Sequence, residues 1–181
     1  VFITGGATGI GAAMVRAFAA QQSRVAFIDI NAEAAAALQT ELADCHLWFQ
    51  QVDVRQPEKL QLALQQAAMD LGGFDVLINN AGNAHGLDPI QTGNLDDWDA
   101  MMDINVKGLL YVSKEIMSGM IARKSGIIVN IGSIAGKEVY PNGNVYCASK
   151  HAVDAITQGM RMDLNPFGIK VIGIHPGLVE T

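Results

Sequence analysis

The sequence predicts an α/β protein: a doubly wound parallel sheet in three α/β/α layers, with strand order 3-2-1-4-5-6. Three observations predict it. Short β-rich runs alternate with apolar runs of helical period along the whole chain. Several strands, Val76-Leu77-Ile78 and Ile127-Ile128-Val129 among them, are almost wholly apolar, which suits a parallel sheet covered on both faces. Right-handed crossovers then make this order the economical way to connect six such strands.

The elements follow in turn. Val1–Thr4 reads as a strand, and Ile10–Gln21 as a helix with Ile10, Met14, Val15 and Phe18 on its buried stripe. Arg24–Ile30 is a strand, Ala32–Ala43 an alanine-rich helix and Leu47–Val52 a strand. Pro57 suits a helix start, where its missing N–H costs nothing, and that helix runs to Leu71. Phe74–Asn79 is a strand, followed by a loop and a long helical stretch from Leu95 to Arg123, interrupted near Asn105. Ile127–Ile131 is a strand, Asn144–Leu164 a helix stopped by Asn165-Pro166, and Ile169–His175 the sixth strand.

Composition bounds the function. The 181 residues read as a single domain, and with half of them apolar and 17% charged they suit a well-cored globular protein. A net charge of −6 argues against nucleic acid or an anionic membrane as partner. No apolar run approaches the length of a membrane span. Val1-Phe2-Ile3 starts in mid-strand without an initiator Met, so the native chain is expected to begin upstream. Cys45 and Cys147 suggest neither a disulfide framework nor a zinc site, and the four histidines show no ligand spacing. No metal is expected, and a reducing, cytoplasmic compartment is.

Two motifs carry the chemistry. Tyr146 and Lys150 stand four residues apart, one turn of a helix, with Ser133 thirteen positions before Tyr146. An ammonium beside a phenol favours the phenolate, which makes a general acid/base for an alcohol or carbonyl oxygen. Tyr111 and Tyr140, followed four residues on by Glu115 and Asn144, lack such a cation. The second motif is Thr4-Gly5-Gly6-Ala7-Thr8-Gly9-Ile10-Gly11, a glycine-rich turn between a strand and a helix. Its Gly5, Thr8, Gly9, Ile10 and Gly11 suit a tight turn that brings main chain and a helix N-terminus to a pyrophosphate. Asp29, eighteen residues past Gly11, is placed to accept bonds from ribose hydroxyls and to repel a 2′-phosphate. No Arg or Lys occupies Ala7, Thr8, Ile30 or Asn31, so NAD is expected in preference to NADP. Asp53 is a candidate acceptor for the adenine amino group or a loop cap, and Asn80, Ala81 and Gly82 let main chain lie against the cofactor.

Together the T-G-x-x-x-G-I-G turn, N-N-A-G at Asn79–Gly82, Ser133, Y-x-x-x-K and Pro176-Gly177 resemble the short-chain dehydrogenase/reductase family. The match runs in order through the whole chain. It implies a Rossmann fold and a catalytic set of Asn105, Ser133, Tyr146 and Lys150, with Asn105 matched through Asn105-Val106-Lys107-Gly108. Tyr146 would exchange the proton, Lys150 would hold the nicotinamide ribose, Ser133 would bond the substrate oxygen and Asn105 would hold a water beside Lys150. Pro176, Gly177 and Thr181 would border the nicotinamide. His85 and Glu180 are further candidates to reach the substrate. Family members usually continue with a substrate lid, further helices and a seventh strand, so the resemblance implies a chain cut at both ends.

The Asn80–Gly86, Gly143–Tyr146 and Pro176–Thr181 segments resemble in particular the dehydrogenases of serine and related 3-hydroxy acids. That subgroup generally prefers NADP, and Asp29 departs from its basic residues. The implied reaction moves hydride between nicotinamide and a secondary alcohol or ketone, a small 3-hydroxy acid such as serine. A 3-oxoacyl thioester reductase is the enzymic alternative, and a dinucleotide-binding regulator the non-enzymic one. The helices before Arg123 and around Tyr146 have broad apolar faces and are expected to pair in a homodimer or homotetramer.

Overall fold

A computed structural model describes residues 1–179. Its six strands form one parallel sheet in the order β3-β2-β1-β4-β5-β6, as the sequence predicts. They are β1 (Phe2–Thr4), β2 (Val25–Asp29), β3 (Leu47–Gln51), β4 (Val76–Asn79), β5 (Gly126–Ile131) and β6 (Ile169–Ile174). The helices are α1 (Gly9–Ala20), α2 (Ala32–Glu41), α3 (Pro57–Leu71), α4 (Leu95–Met102), α5 (Leu109–Arg123) and α6 (Asn144–Leu164).

Side-chain alternation along the strands divides the core in two. Phe2, Ala26, Ile28, Leu77 and Ile128 face a cluster built with residues of α3, α5 and α6. Ile3, Val25, Phe27 and Ile78 face the other way, onto α1 and α2. Phe2 and Phe74 meet edge to face with centroids 5.0 Å apart. Each fully buried large side chain contributes about 1.5–3 kcal/mol, so both layers are firmly held to the sheet.

Local chemistry sets the helix ends. Asn31 caps α2 by accepting from the Ala34 N–H at 3.0 Å, and Asn94 caps α4 through the Asp96 N–H at 2.9 Å. Pro57 occupies the first turn of α3, and Gly72 closes that helix at φ +80°. The interruption expected near Asn105 is a π turn, Asp103–Gly108, between α4 and α5. Such wide turns are uncommon and gather at functional sites. Gly108 is required there, because a Cβ would lie 2.7 Å from Cγ2 of Val54.

A buried polar chain crosses the sheet below its carboxyl edge. Asn79 donates to Ser113 Oγ at 2.9 Å and to Asn130 Oδ1 at 2.8 Å, and Asn130 donates to Thr157 Oγ1 at 3.0 Å. It ties β4 and β5 to α5 and α6. Buried bonds of this kind favour one arrangement of the elements, while Asn79 Oδ1 has no partner. The tie matters because α6 carries Tyr146 and Lys150.

Candidate active site

All six strands end at the same rim of the sheet, and the site is built there. Thr4, the last residue of β1, accepts at its Oγ1 from the N–H groups of Asn80 and Ala81, at 3.0 and 2.9 Å. The Asn80 amide donates back to the carbonyls of Thr4 and Gly5, at 3.0 and 2.9 Å. These bonds lock the ends of β1 and β4 together. Gly5 turns at φ +64°, and the chain folds so closely onto α1 that a Cβ on Gly11 would lie 1.9 Å from the Gly5 oxygen. Thr8, the N-cap of α1, makes no side-chain capping bond, which leaves first-turn N–H groups available to an anion.

The rim encloses a cleft of about 690 Å³. Gly5, Thr8, Gly9, Ile10, Gly11, Asp29 and Asp53 line one end of it. Asn80, Ala81, Gly82, Ser133, Tyr146, Lys150, Pro176 and Gly177 line the rest. Thus every residue that the sequence assigned to the cofactor lines one continuous space, except Thr181. Thr181 and Glu180 lie outside the described residues.

Lys150 is buried, at 6% exposure, and its Nζ donates to the Ile131 carbonyl at 3.1 Å and sits 5.9 Å from the centre of the Tyr146 ring. Burial lowers its pKa from 10.5 to about 8. A Cβ on Gly82 would approach that Nζ to 3.3 Å, so the N-N-A-G glycine makes room for the ammonium. Tyr146 is half-buried and lines the cleft. It bonds to the protein through its main-chain carbonyl, which accepts from Ser149 Oγ at 2.7 Å. Ser133 Oγ lines the same space and accepts from the Ala135 N–H at 3.1 Å, as the cap of a short 3₁₀ turn, Ile134–Gly136.

Three of the assigned residues have structural bonds of their own. Asn105 does not line the cleft. It is 2% exposed, with its Oδ1 accepting from the Asn83 N–H at 2.8 Å. Its Nδ2 donates to the Asn83 carbonyl at 2.9 Å and to Ser149 Oγ at 3.0 Å. Both amide hydrogens are taken, so this side chain clamps the loop after β4. Asp53 is tied to Arg55, whose Nη2 lies 2.6 Å from Oδ2, and the side-chain bond to that guanidinium holds its carboxyl below the usual range. The carboxylate also caps its own loop, accepting from the Arg55 N–H at 2.9 Å.

The third is Asp29. Its Oδ2 accepts from the Ala7 N–H at 2.9 Å and its Oδ1 from the Asn31 N–H at 2.9 Å. The carboxylate thereby pins the glycine turn and the entry to α2, a structural duty that its position in the sequence does not reveal.

Several cleft residues escaped the sequence reading, chiefly Arg55 and the side chain of Asn83. Asn83 places a buried, unpartnered Oδ1 in the wall of the site. Its position next to N-N-A-G was the only available signal. Cys147 is fully buried, in keeping with a packing role. Among the described residues no cluster of acidic, thiol or imidazole groups could hold a metal ion, and no helix is long and apolar enough to cross a membrane.

Comparison with known proteins places this arrangement. The protein of Escherichia coli O6:H1 named NADP-dependent 3-hydroxy acid dehydrogenase YdfG is 37% identical over 179 residues, covering 99% of this chain and 72% of that one. A solved serine dehydrogenase in its closed form, complexed with NADP⁺, is 36% identical with a TM-score of 0.95, over 99% of this chain and 73% of that one. A third structure, ElxO with NADP bound, is 28% identical with a TM-score of 0.93, over 99% and 73% of the two chains. These findings overturn the expected preference for NAD over NADP. The expectation rested on Asp29 as a ribose acceptor; each of its oxygens already accepts one main-chain N–H, from Ala7 in the turn and from Asn31 at the entry to α2. The profile of the family described as short chain dehydrogenase matches residues 1–181, and the chain belongs to that family of oxidoreductases.

Proposed function

We propose that this enzyme moves hydride between NADP(H) and the carbinol carbon of a small 3-hydroxy acid, serine being the first candidate. The observation that carries the reading is the convergence of Tyr146, Lys150 and Ser133 on the cleft that the glycine turn closes. The names of the similar proteins supply the cofactor and the substrate class.

The residues present fit a dinucleotide. The glycine turn leaves no room for side chains at Gly5 and Gly11, and α1 offers uncapped N–H groups beside it. The nicotinamide, when bound, supplies the hydride acceptor or donor. The chain's own residues do the rest. The Tyr146 oxygen takes the hydroxyl proton in oxidation and returns it in reduction. Lys150 holds the nicotinamide ribose. Ser133 donates to the substrate oxygen as charge develops there. Asn105 is a positioning residue, which fixes Asn83 and the loop below Lys150. His85, in the cleft wall with Tyr146, offers an imidazole N–H to a substrate carboxylate.

Titration of the full-length protein with both cofactors, followed by turnover assays, tests this reading. NADPH is expected to bind at least about tenfold more tightly than NADH, a difference of about 1.4 kcal/mol. Serine or 3-hydroxybutyrate should be oxidised faster than acetoacetyl thioester is reduced. Equal affinities would remove the cofactor assignment, and the reverse substrate order would make the enzyme a 3-oxoacyl thioester reductase.

We also read the protein as a homodimer or homotetramer of a reducing compartment. Met102, Leu110 and Met162 leave apolar surface exposed on α4, α5 and α6, and neither cysteine is paired. Light scattering is expected to give two or four copies; a monomer contradicts the assembly.

A further inference from the structure

The end of β6 carries an imidazole for which the reaction above has no use. The His175 ring stands over the main chain of two glycines. A Cβ at Gly132 would lie 2.6 Å from Nδ1, and one at Gly173 would lie 3.1 Å from Nε2. Both positions lack a side chain, and the ring fills the space. Its Nδ1 is 3.4 Å from the carbonyl oxygen of Ser133. Its Nε2 is 3.5 Å from Oδ1 of Asp154, which lies one turn beyond Lys150 on α6.

Main-chain bonds join the same segments. The Gly132 N–H donates to the Ile174 carbonyl at 2.7 Å, and the Ile134 N–H donates to the Pro176 carbonyl at 3.0 Å. Pro176 and Gly177, the next two residues, line the cleft. One ring therefore touches or adjoins the segments that carry Ser133, Gly177 and the Tyr146–Lys150 helix.

Both groups facing the ring are acceptors. A neutral imidazole has one N–H and one lone pair, so it satisfies one of them and turns a lone pair on the other; an imidazolium donates to both. The charged groups recorded against this cluster are Asp154 from α6 and Lys137 from beyond the 3₁₀ turn, while β5 and β6 present the glycines. Lys137 lies 2.7 Å from Asp154 Oδ2, which also accepts from Gln158 at 2.9 Å. The bond to Lys137 holds the Asp154 carboxyl below its usual range, so it stays anionic where a histidine changes charge.

We propose that His175 is a proton-operated clamp. Protonated, it ties the Ser133 turn and the Pro176–Gly177 segment to the helix of Tyr146 and Lys150. Neutral, it keeps its N–H on the Asp154 carboxylate, the stronger acceptor, and releases the Ser133 carbonyl. His175 touches no reacting atom; it is a positioning residue that acts through Ser133 and Gly177.

The test compares pH profiles of turnover between about pH 5 and 8 in the full-length parent and in His175→Gln, with any carbonyl substrate that the parent reduces. At the acid end the parent should exceed His175→Gln by about tenfold in kcat, roughly the effect of one hydrogen bond to a charged group. The gap should close towards the alkaline end. Asp154→Asn, which keeps the ring but removes the carboxylate charge, should likewise fall below the parent at the acid end and approach it at the alkaline end, and serves if His175→Gln fails to fold. Ring ¹⁵N shifts, read without any substrate, should show both His175 nitrogens protonated at the acid end of that range. Profiles that run parallel in both variants, or a neutral single-tautomer ring at the acid end, overturn the clamp.

Discussion

Tyr146→Phe is expected to leave NADPH affinity within about twofold and to lower turnover by at least ~10²-fold. The substitution removes one oxygen and keeps the ring. The structure makes that a clean experiment, because Tyr146 is tied into α6 through its main-chain carbonyl and not through its hydroxyl. Loss of the hydroxyl therefore breaks no bond that holds the fold, and thermal stability should change by less than about 0.5 kcal/mol. If the hydroxyl is the proton donor and acceptor, single-turnover hydride transfer slows as much as steady-state turnover does. Comparable rates in variant and parent would remove Tyr146 from the chemistry and leave it a packed aromatic in the cleft wall.

Lys150→Met has an equally large expected effect on activity, and an opposite one on stability. The ammonium is buried at 6% exposure, and burial lowers its folded pKa from 10.5 to about 8. Below pH 8 the folded protein must hold a charge that its surroundings disfavour. Between pH 8 and 10.5 the unfolded chain binds more protons than the folded one, so stability rises with pH through that window. The cost at neutral pH is about 3 kcal/mol, partly offset by the bond to the Ile131 carbonyl, worth about 1 kcal/mol.

Methionine keeps the length of the stem without the charge. The variant should thus melt a few degrees higher than the parent at pH 7, at about 2–4 °C per kcal/mol for a domain of this size. The two curves should approach each other near pH 10, and turnover should fall by at least ~10²-fold. Melting below the parent at pH 7 would mean that the ammonium stabilises the fold. Here stability is given up for a cation at the phenol.

The sheet was legible because its signals are local and repeated. Ile127-Ile128-Val129 and Val76-Leu77-Ile78 need burial on both faces, and only a covered parallel sheet supplies it. Element ends moved by a residue or two where caps and turns decide them: α1 begins at Gly9 and β2 ends at Asp29, not Ile30. The Tyr146–Lys150 pair was legible for a similar reason, since helical spacing alone puts two residues on one face.

What stayed hidden depends on where main chain arrives from afar. Asp29 looks like a free strand-end carboxylate until the glycine turn brings the Ala7 N–H to it across 22 residues. The clamp that the Asn105 side chain forms appears only when the loop after β4 brings the main chain of Asn83 against its amide. No periodicity reports such contacts. The same limit covers the Asn79–Asn130–Thr157 chain and the seat of His175 over Gly132 and Gly173. In each case a polar side chain has meaning only through a partner on another element.

The most direct test of the account is the crystal structure of the full-length enzyme with NADPH bound. The account predicts that the Lys150 ammonium bonds the nicotinamide ribose at about 3 Å. The Tyr146 hydroxyl should lie within hydrogen-bond reach, about 2.6–3.2 Å, of a carbonyl oxygen placed for hydride transfer. A nicotinamide ring bound away from Tyr146, or an ammonium turned from the ribose towards solvent, contradicts it.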